Sequence, residues 1–553
     1  MRTDHSFLIL CTVLGIVQAW ISRYAMNSDG ISYIDIGDAY VRGDWAAAIN
    51  GYWSPMYSWW LGLTLRLLKP SIRWEFVVVH LVNLAIYFVA LFSFRFFIHC
   101  VLNALKAESQ ARGDDALPLP DWALLGLGYS LFLWCSLELI DVGLVTPDLL
   151  VAAVFFLIGG YLVDLRVHES YGKFAIFGAL CGAAYLAKGI MFPLGFGLLA
   201  ILFLGGRKSK RRIMGVLLSA LLFLVVSLPF VAAVSKQKGR LTFGDSGRLA
   251  YASMVSPNSP QTHWQGEPVG SGIPRHTTRK LLDNPPVFEF GEPVGGTYPP
   301  WYDPSYWNEG QRGHFRLRSQ IRVLVQSALT YARTLQGQLG LLAGLLFFLF
   351  VGGTPTRRAI VSNWPLIAAA FLGLGAYSLV LVRTRYIGPS LVLLLFAVLA
   401  GIRLKSGQLN LLSKHVTTAV IATMLLSVGV HLAETAYTTL TVGPYSQKEE
   451  MEAAEGLREM GLRGGDRVSV IGDGMTNFWA RLGRFKIVSE VYSPDRGDHD
   501  FWASPAERRE SAYQCLERTG ARAVVAWDPP ENYLDQGWKQ ISNTRYYARF
   551  LSK

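Results

Sequence analysis

Asp29, in the segment Met26-Asn27-Ser28-Asp29-Gly30-Ile31-Ser32-Tyr33, directly follows the first apolar run of the chain. A carboxylate where water first meets a membrane surface can take the proton of a reacting hydroxyl. A second acidic group borders a short turn farther on: Glu138 and Asp141, then Asp148 in Thr146-Pro147-Asp148. Cations accompany them, Lys188 in Tyr185-Leu186-Ala187-Lys188-Gly189 and the pair in Arg383-Thr384-Arg385-Tyr386. An arginine fork and a lysine point charge both suit phosphate oxygens. Each group also has a plainer reading. Asp29 can cap a helix, Pro147-Asp148 can open one, and Lys188 and the arginines can reach toward lipid headgroups.

The elements that must position these residues are membrane helices. The 553 residues are 51% hydrophobic, and the mean hydropathy is +0.28. Apolar runs long enough to cross a hydrocarbon core of about 30 Å recur. They fall near 6–24, 75–99, 122–140, 147–165, 173–187, 190–205, 213–234, 336–353, 361–382, 387–402 and 414–434, so about eleven transmembrane helices are expected. The first run is read as a helix and not a cleaved leader, because Trp20, Arg23 and Tyr24 stand where small residues would be.

Arg207-Lys208-Ser209-Lys210-Arg211-Arg212, Arg357-Arg358 and Arg403-Leu404-Lys405 fall in short loops on one side if the N-terminus is cytoplasmic. The formal net charge of +12 is therefore a topology signal. Nucleic-acid binding is excluded as its explanation, since the densest basic cluster sits in a short inter-helix loop. The same parity puts 25–72, 141–147, Arg383–Tyr386, 235–333 and the tail after 435 on the outer side. The expected location is a bacterial-type cytoplasmic (inner) membrane, with the site and the tail extracytoplasmic. Lys188, Arg383 and Arg385 then run against the positive-inside bias, which favours a functional role. Of the five cysteines, only Cys515 lies in a predicted exterior region, so no disulfide framework is expected.

The expected architecture is a membrane domain over 1–434 and an exterior α/β domain over 435–553. Within 25–72, Asp44 reads as a helix N-cap, and Trp53, Trp59 and Trp60 suit the headgroup level. Asp35 and Asp38 share a helix face and read as solvated. Loop 235–333 is dense in Gly, Pro and aromatics, as in Tyr298-Pro299-Pro300-Trp301-Tyr302, and reads as an ordered lid rather than a flexible linker. In the tail, strands are expected at 467–471, 485–488 and 523–527, and helices near 446–461 and 505–519. Gly472-Asp473-Gly474 reads as a tight turn; Asp473, Asp495 and His499 read as surface residues. Aromatics expected to line a substrate path are Tyr33, Trp53, Tyr57, Tyr298, Trp301 and Tyr302.

The order Asp-x-x-x-Tyr, Gly-Asp-Trp, aromatic-x-Pro-x-Tyr, Pro-Asp, Leu-x-Lys-Gly and Arg-Tyr-x-x-Pro resembles the GT-C membrane glycosyltransferases over residues 20 to 400. The protein O-mannosyltransferases and the bacterial aminoarabinose transferases of lipid A are the nearest in pattern. The resemblance implies inverting transfer of a sugar from a polyprenyl-phosphate donor to an extracytoplasmic hydroxyl on a glycan, lipid or protein. It implies Asp29 as base, and Lys188, Arg383, Arg385 and Tyr386 at the donor phosphate. It also implies that Glu138, Asp141 or Asp148 binds a divalent ion or orients the acceptor. The family's Asp-Glu pair is Asp29-Gly30 here, and its Lys-Pro-Pro element is Trp53-Ser54-Pro55-Met56. Those departures remove specific support for lipid A or a protein serine as acceptor.

Two other readings make different demands. A polymerase or ligase of lipid-linked glycans would place its catalytic groups in the long loop, at His263, Arg275, His276 or His314. A sugar-lipid transporter would show paired repeats and broken midplane helices, and the sequence displays neither.

Overall fold

In the computed structural model, the described residues are 2–112, 116–256, 262–266, 272–405, 411–441, 443–493, 497–534 and 536–551. Among them, seven helices are long and apolar enough to cross a membrane: Arg2–Ile21, Glu75–Gln110, Asp121–Leu139, Asp148–Val167, Lys210–Lys238, Leu339–Ser362 and Leu412–Thr441. The chain is a multi-pass membrane protein. The four other expected spans are shorter apolar helices, Tyr171–Ala187, Met191–Leu204, Trp364–Ser378 and Thr384–Ala400. They run from 14 to 17 residues, at or just below the short end of the length that a crossing takes. Apolar composition was legible there, but the turns at Lys188-Gly189 and around Val380–Arg383 cut the runs short.

Three helices fill the first loop: Ser28–Arg42, Trp45–Ala48 and Pro55–Leu68. Gly43 ends the first in the left-handed region at φ +73°, which glycine adopts without a Cβ clash. Asp44 then caps the second, accepting from the Ala47 amide at 3.2 Å. Gly37 and Gly62 let Ser28–Arg42 and Pro55–Leu68 touch backbone to backbone. A Cβ on Gly37 would stand 2.6 Å from the Ser58 carbonyl oxygen. This contact fixes the helix that carries Asp29 at its N-terminal turn.

The tail and the long loop share one seven-stranded sheet. In spatial order its strands are 279–283, 286–289, 486–491, 467–471, 523–527, 546–550 and 539–540. The central three are parallel, and the others pair antiparallel. The tail elements expected from sequence appear at Arg467–Ile471, Lys486–Val491, Ala523–Trp527, Gly443–Glu459 and Ala506–Arg518. Part of the long loop joins that sheet: its hairpin, Arg279–Asp283 with Pro286–Glu289, forms one edge. A boundary at 435 therefore divides one hydrogen-bonded sheet.

Asp35 and Asp38 are not solvated. Arg481 of the tail donates to Asp35 and Asp38, both at 2.6 Å, and to Glu75 at 2.8 Å. Arg484 adds bonds to Asp38 at 3.2 Å and Glu75 at 2.6 Å. Arg481 is only 4% exposed. Two arginines of the tail thus lock it onto the helix that bears Asp29.

Candidate active site

Asp29 lies in the first turn of Ser28–Arg42, where a carboxylate is favoured by the helix dipole. Its Oδ2 accepts from Arg385 Nη2 at 3.1 Å, and its Oδ1 from the Trp301 indole N–H at 3.2 Å. Arg385 opens the helix Thr384–Ala400, and Trp301 belongs to a short helical turn in the long loop, Pro299–Tyr302. Arg385 also reaches Asp148, with Nε 3.5 Å from Oδ2. Lys188 Nζ sits 2.5 Å from Asp148 Oδ1 and 3.5 Å from the centre of the Tyr386 ring. The four charges run in a line: Asp29, Arg385, Asp148, Lys188.

That line borders a cavity of about 470 Å³ between the membrane helices and the long loop. Tyr33, Trp53, Trp301 and Tyr386 line it, and Arg383 stands exposed at its wall. An apolar stretch of lining, including Ile190, Phe243, Leu249, Met254 and Val380, continues from the charged end. The two carboxylates are not equivalent. Asp148 is 3% exposed and held by two cations, whereas Asp29 is 22% exposed. Only Asp29 is open to an incoming hydroxyl.

Other expected site residues are engaged elsewhere. Glu138 lies in a π-helical turn, Trp134–Leu139, and accepts from Ser427 of Leu411–Thr441 at 3.0 Å. Asp141 has a left-handed backbone at φ +69° and binds the Gly143 amide at 2.7 Å, closing its own turn. Tyr57 is buried against Asn83, 2.5 Å from Oδ1. Tyr298 donates to Glu490 at 2.9 Å and Tyr302 to the Ala47 carbonyl at 2.7 Å. None of these five lines the cavity. Their hydroxyls and carboxylates hold the framework around it.

The long-loop histidines do not line the cavity. His263 pairs with Glu490 and stacks on Phe288. His276 contacts Glu309 at 2.8 Å and stacks on Tyr306, with Arg275 3.6 Å from the same carboxylate. His314 Nε2 is buried without a partner, away from the cavity lining. In the tail, Asp473 is partly buried and caps a helical turn through the Met475 amide at 3.0 Å. Burial pushes its carboxyl up, and the Glu490 charge adds to that shift. His499 is exposed; Asp495 lies outside the described residues.

A divalent cation does not fit the acidic pair. Such an ion takes several oxygen ligands, and the Arg385 guanidinium already occupies the space between Asp29 and Asp148. Among the described residues no three His, Cys, Asp or Glu gather as a metal site.

Several lining residues carried no sequence signal. Tyr377 sits inside an apolar run, yet its ring faces Lys188 at 5.7 Å and stacks with Tyr386 at 5.1 Å. Asn308 and Gln311 lie in the long loop with no pattern around them.

The fold is thus a membrane-helix bundle with an acidic helix in its first loop, a cavity beside the long loop, and a sheet that joins the long loop to the tail. No protein-family model matches the sequence, and no curated protein matches it. Among solved structures, ArnT from Cupriavidus metallidurans in the apo state is similar, with TM-score 0.56 and 13% identity over 98% of each chain. The same protein bound to undecaprenyl phosphate gives TM-score 0.54 and 13% identity, covering 99% of this chain and 98% of that one. An Archaeoglobus fulgidus oligosaccharyltransferase tethered with an acceptor peptide gives TM-score 0.49 and 12% identity, covering 94% and 68%. At these identities the likeness is one of fold.

Proposed function

We propose that this chain is an inverting glycosyltransferase that moves a sugar from a polyprenyl-phosphate donor to an extracytoplasmic hydroxyl. The observation that carries the reading is the charge line along the cavity, with a part-exposed carboxylate at one end and two equally part-exposed cations held behind it by the buried Asp148. The ArnT structure bound to undecaprenyl phosphate supports a leaving group of that class.

In the proposed reaction Asp29 accepts the acceptor's proton as its oxygen attacks the anomeric carbon. The bond from that carbon to the phosphate oxygen breaks, and the electron pair leaves with the polyprenyl phosphate. Lys188 and Arg385 stabilise the growing phosphate charge, with Arg383 as a third cation at the wall. Asp148 is too enclosed to attack the sugar, which supports a single displacement with inversion. Its role is to hold Lys188 and Arg385 in place. The apolar lining gives the isoprenoid a path toward lipid, and Trp53 and Trp301 face the sugar.

Replacing Arg385 with Ala removes the cation shared by both carboxylates, and Lys188→Ala removes the second. Each is expected to weaken donor binding at least tenfold, since a charge-assisted bond contributes about 1.5–3 kcal/mol. Binding of undecaprenyl phosphate to purified protein measures this. Unchanged affinity in both variants would remove the phosphate assignment.

A further inference from the structure

Two residues that line the cavity each carry a neutral polar atom that is enclosed and has no partner. Gln311 is 2% exposed and its Nε2 is unbonded; Thr146 is 5% exposed and its Oγ1 is unbonded. Both residues line the cavity. A buried amide or hydroxyl without a partner is unfavourable, so such groups are normally satisfied. A pair of them on one cavity marks a place where a ligand supplies the partners.

Their backbones are fixed while their side chains are free. The Gln311 amide donates to the Asn308 carbonyl at 3.2 Å, and its carbonyl accepts from Arg248, itself bound to Asp245 at 3.4 Å. The Thr146 amide donates to Leu144 at 3.0 Å. Its neighbour Val145 is clamped by Asn27, which accepts from the Val145 amide at 3.0 Å. With the backbone fixed, a turn of the side chain between rotamers is what brings each enclosed group to a ligand in the cavity.

Their chemistry differs from that of the phosphate cations. An amide N–H and a hydroxyl carry no charge and match oxygens of a neutral polyol. Thr146 stands two residues before Asp148, the partner of Lys188 and Arg385, and two residues of chain span at most about 7 Å. A sugar bonded through its anomeric oxygen to a phosphate on those cations falls within that reach. Trp53 and Trp301, with ring centres 5.7 Å apart, supply apolar faces for its C–H surfaces.

We infer that Gln311 and Thr146 are specificity-determining residues that read hydroxyl groups of the donor's sugar ring. This rests on the proposed lipid-linked-sugar reading and names the part of the site that selects the sugar. A site built to hydrogen-bond a hydroxyl discriminates strongly against a ring that lacks it or points it elsewhere.

The test uses the full-length protein with Thr146→Val and Gln311→Met, both close in volume to the native residues. The probes are undecaprenyl phosphate and undecaprenyl phosphates carrying glucose, galactose, mannose or arabinose. The wild type should prefer one of the sugar-bearing lipids. Each variant should lose about tenfold in affinity for that lipid, keep its affinity for the sugar-free lipid within about twofold, and melt no lower than the wild type. Sugar-bearing lipid bound equally by variants and wild type would overturn the inference, assigning the two groups to water. A parallel loss for both lipids would also overturn it, because a structural role moves both together. A wild type that binds undecaprenyl phosphate but none of the four sugar-bearing lipids would overturn it too. A wild type that binds no polyprenyl phosphate at all would bring down the proposed function as well.

Discussion

Asp29→Asn should leave the protein folded and able to bind donor while lowering sugar transfer by about 10²–10⁴-fold, the usual contribution of a positioned general base. Asparagine keeps the volume and an oxygen for the Trp301 indole, now 3.2 Å away. It has no basicity to offer the acceptor hydroxyl. It also removes a negative charge from beside Arg385, which frees that guanidinium for phosphate. Donor affinity should therefore hold or tighten as turnover collapses. A matched fall in binding and turnover would instead mean that Asp29 organises the site, and near-normal turnover would remove it as the base. Single-turnover transfer in reconstituted protein, with donor binding measured in parallel, separates these outcomes.

The largest expected loss of stability is at Arg481. Its burial alone would lower its pKa; Glu75, Asp38 and Asp35 more than offset that and hold it well above the usual arginine value. Replacing it with Ala leaves Glu75, 2% exposed, with Arg484, and leaves Asp35, 7% exposed, with only the uncharged amide and hydroxyl donors of Thr297. Breaking a buried ion pair from one side costs about 3–5 kcal/mol. Because Asp35 lies on the helix of Asp29, turnover should fall as well as melting temperature. Arg481→Lys keeps the charge without the fork and should fall between wild type and Ala. Adding Asp35→Asn to Arg481→Ala should recover part of the loss, since it removes one stranded charge. Thermal unfolding of the single and double variants reads this coupling. An unchanged midpoint in Arg481→Ala would show that the tail is held on by its other contacts.

The chemistry-bearing residues of the cavity were legible because a membrane makes polar residues conspicuous. Asp29, Asp148, Lys188 and Arg385 each sit where an apolar run stops, and the structure brings those four ends to one wall. The supporting interactions were not legible, because their partners are distant in sequence. Asp35 meets Arg481 across 446 positions, and Trp301 meets Asp29 across 272. An i, i+3 pair of aspartates reads as a wet helix face until the arginine arrives. Glu138 fails as a cavity residue for a local reason: its π-helical turn carries it to Ser427, a phase that 3.6-residue periodicity does not foresee. Tyr57, Tyr298 and Tyr302 were expected along a substrate path, but their hydroxyls reach Asn83, Glu490 and Ala47. The hairpin Arg279–Asp283 with Pro286–Glu289 gave no strand signal because only five and four residues pair, with a register shift between Lys280 and Leu282.

The most direct measurement is native mass spectrometry of the detergent-extracted wild-type protein, reading the mass of whatever lipid it retains. A single sugar joined by one phosphate to a polyprenyl chain is the predicted occupant, and its mass gives the class of sugar transferred. A pyrophosphate-linked oligosaccharide in its place would contradict the account and point to a polymerase or ligase.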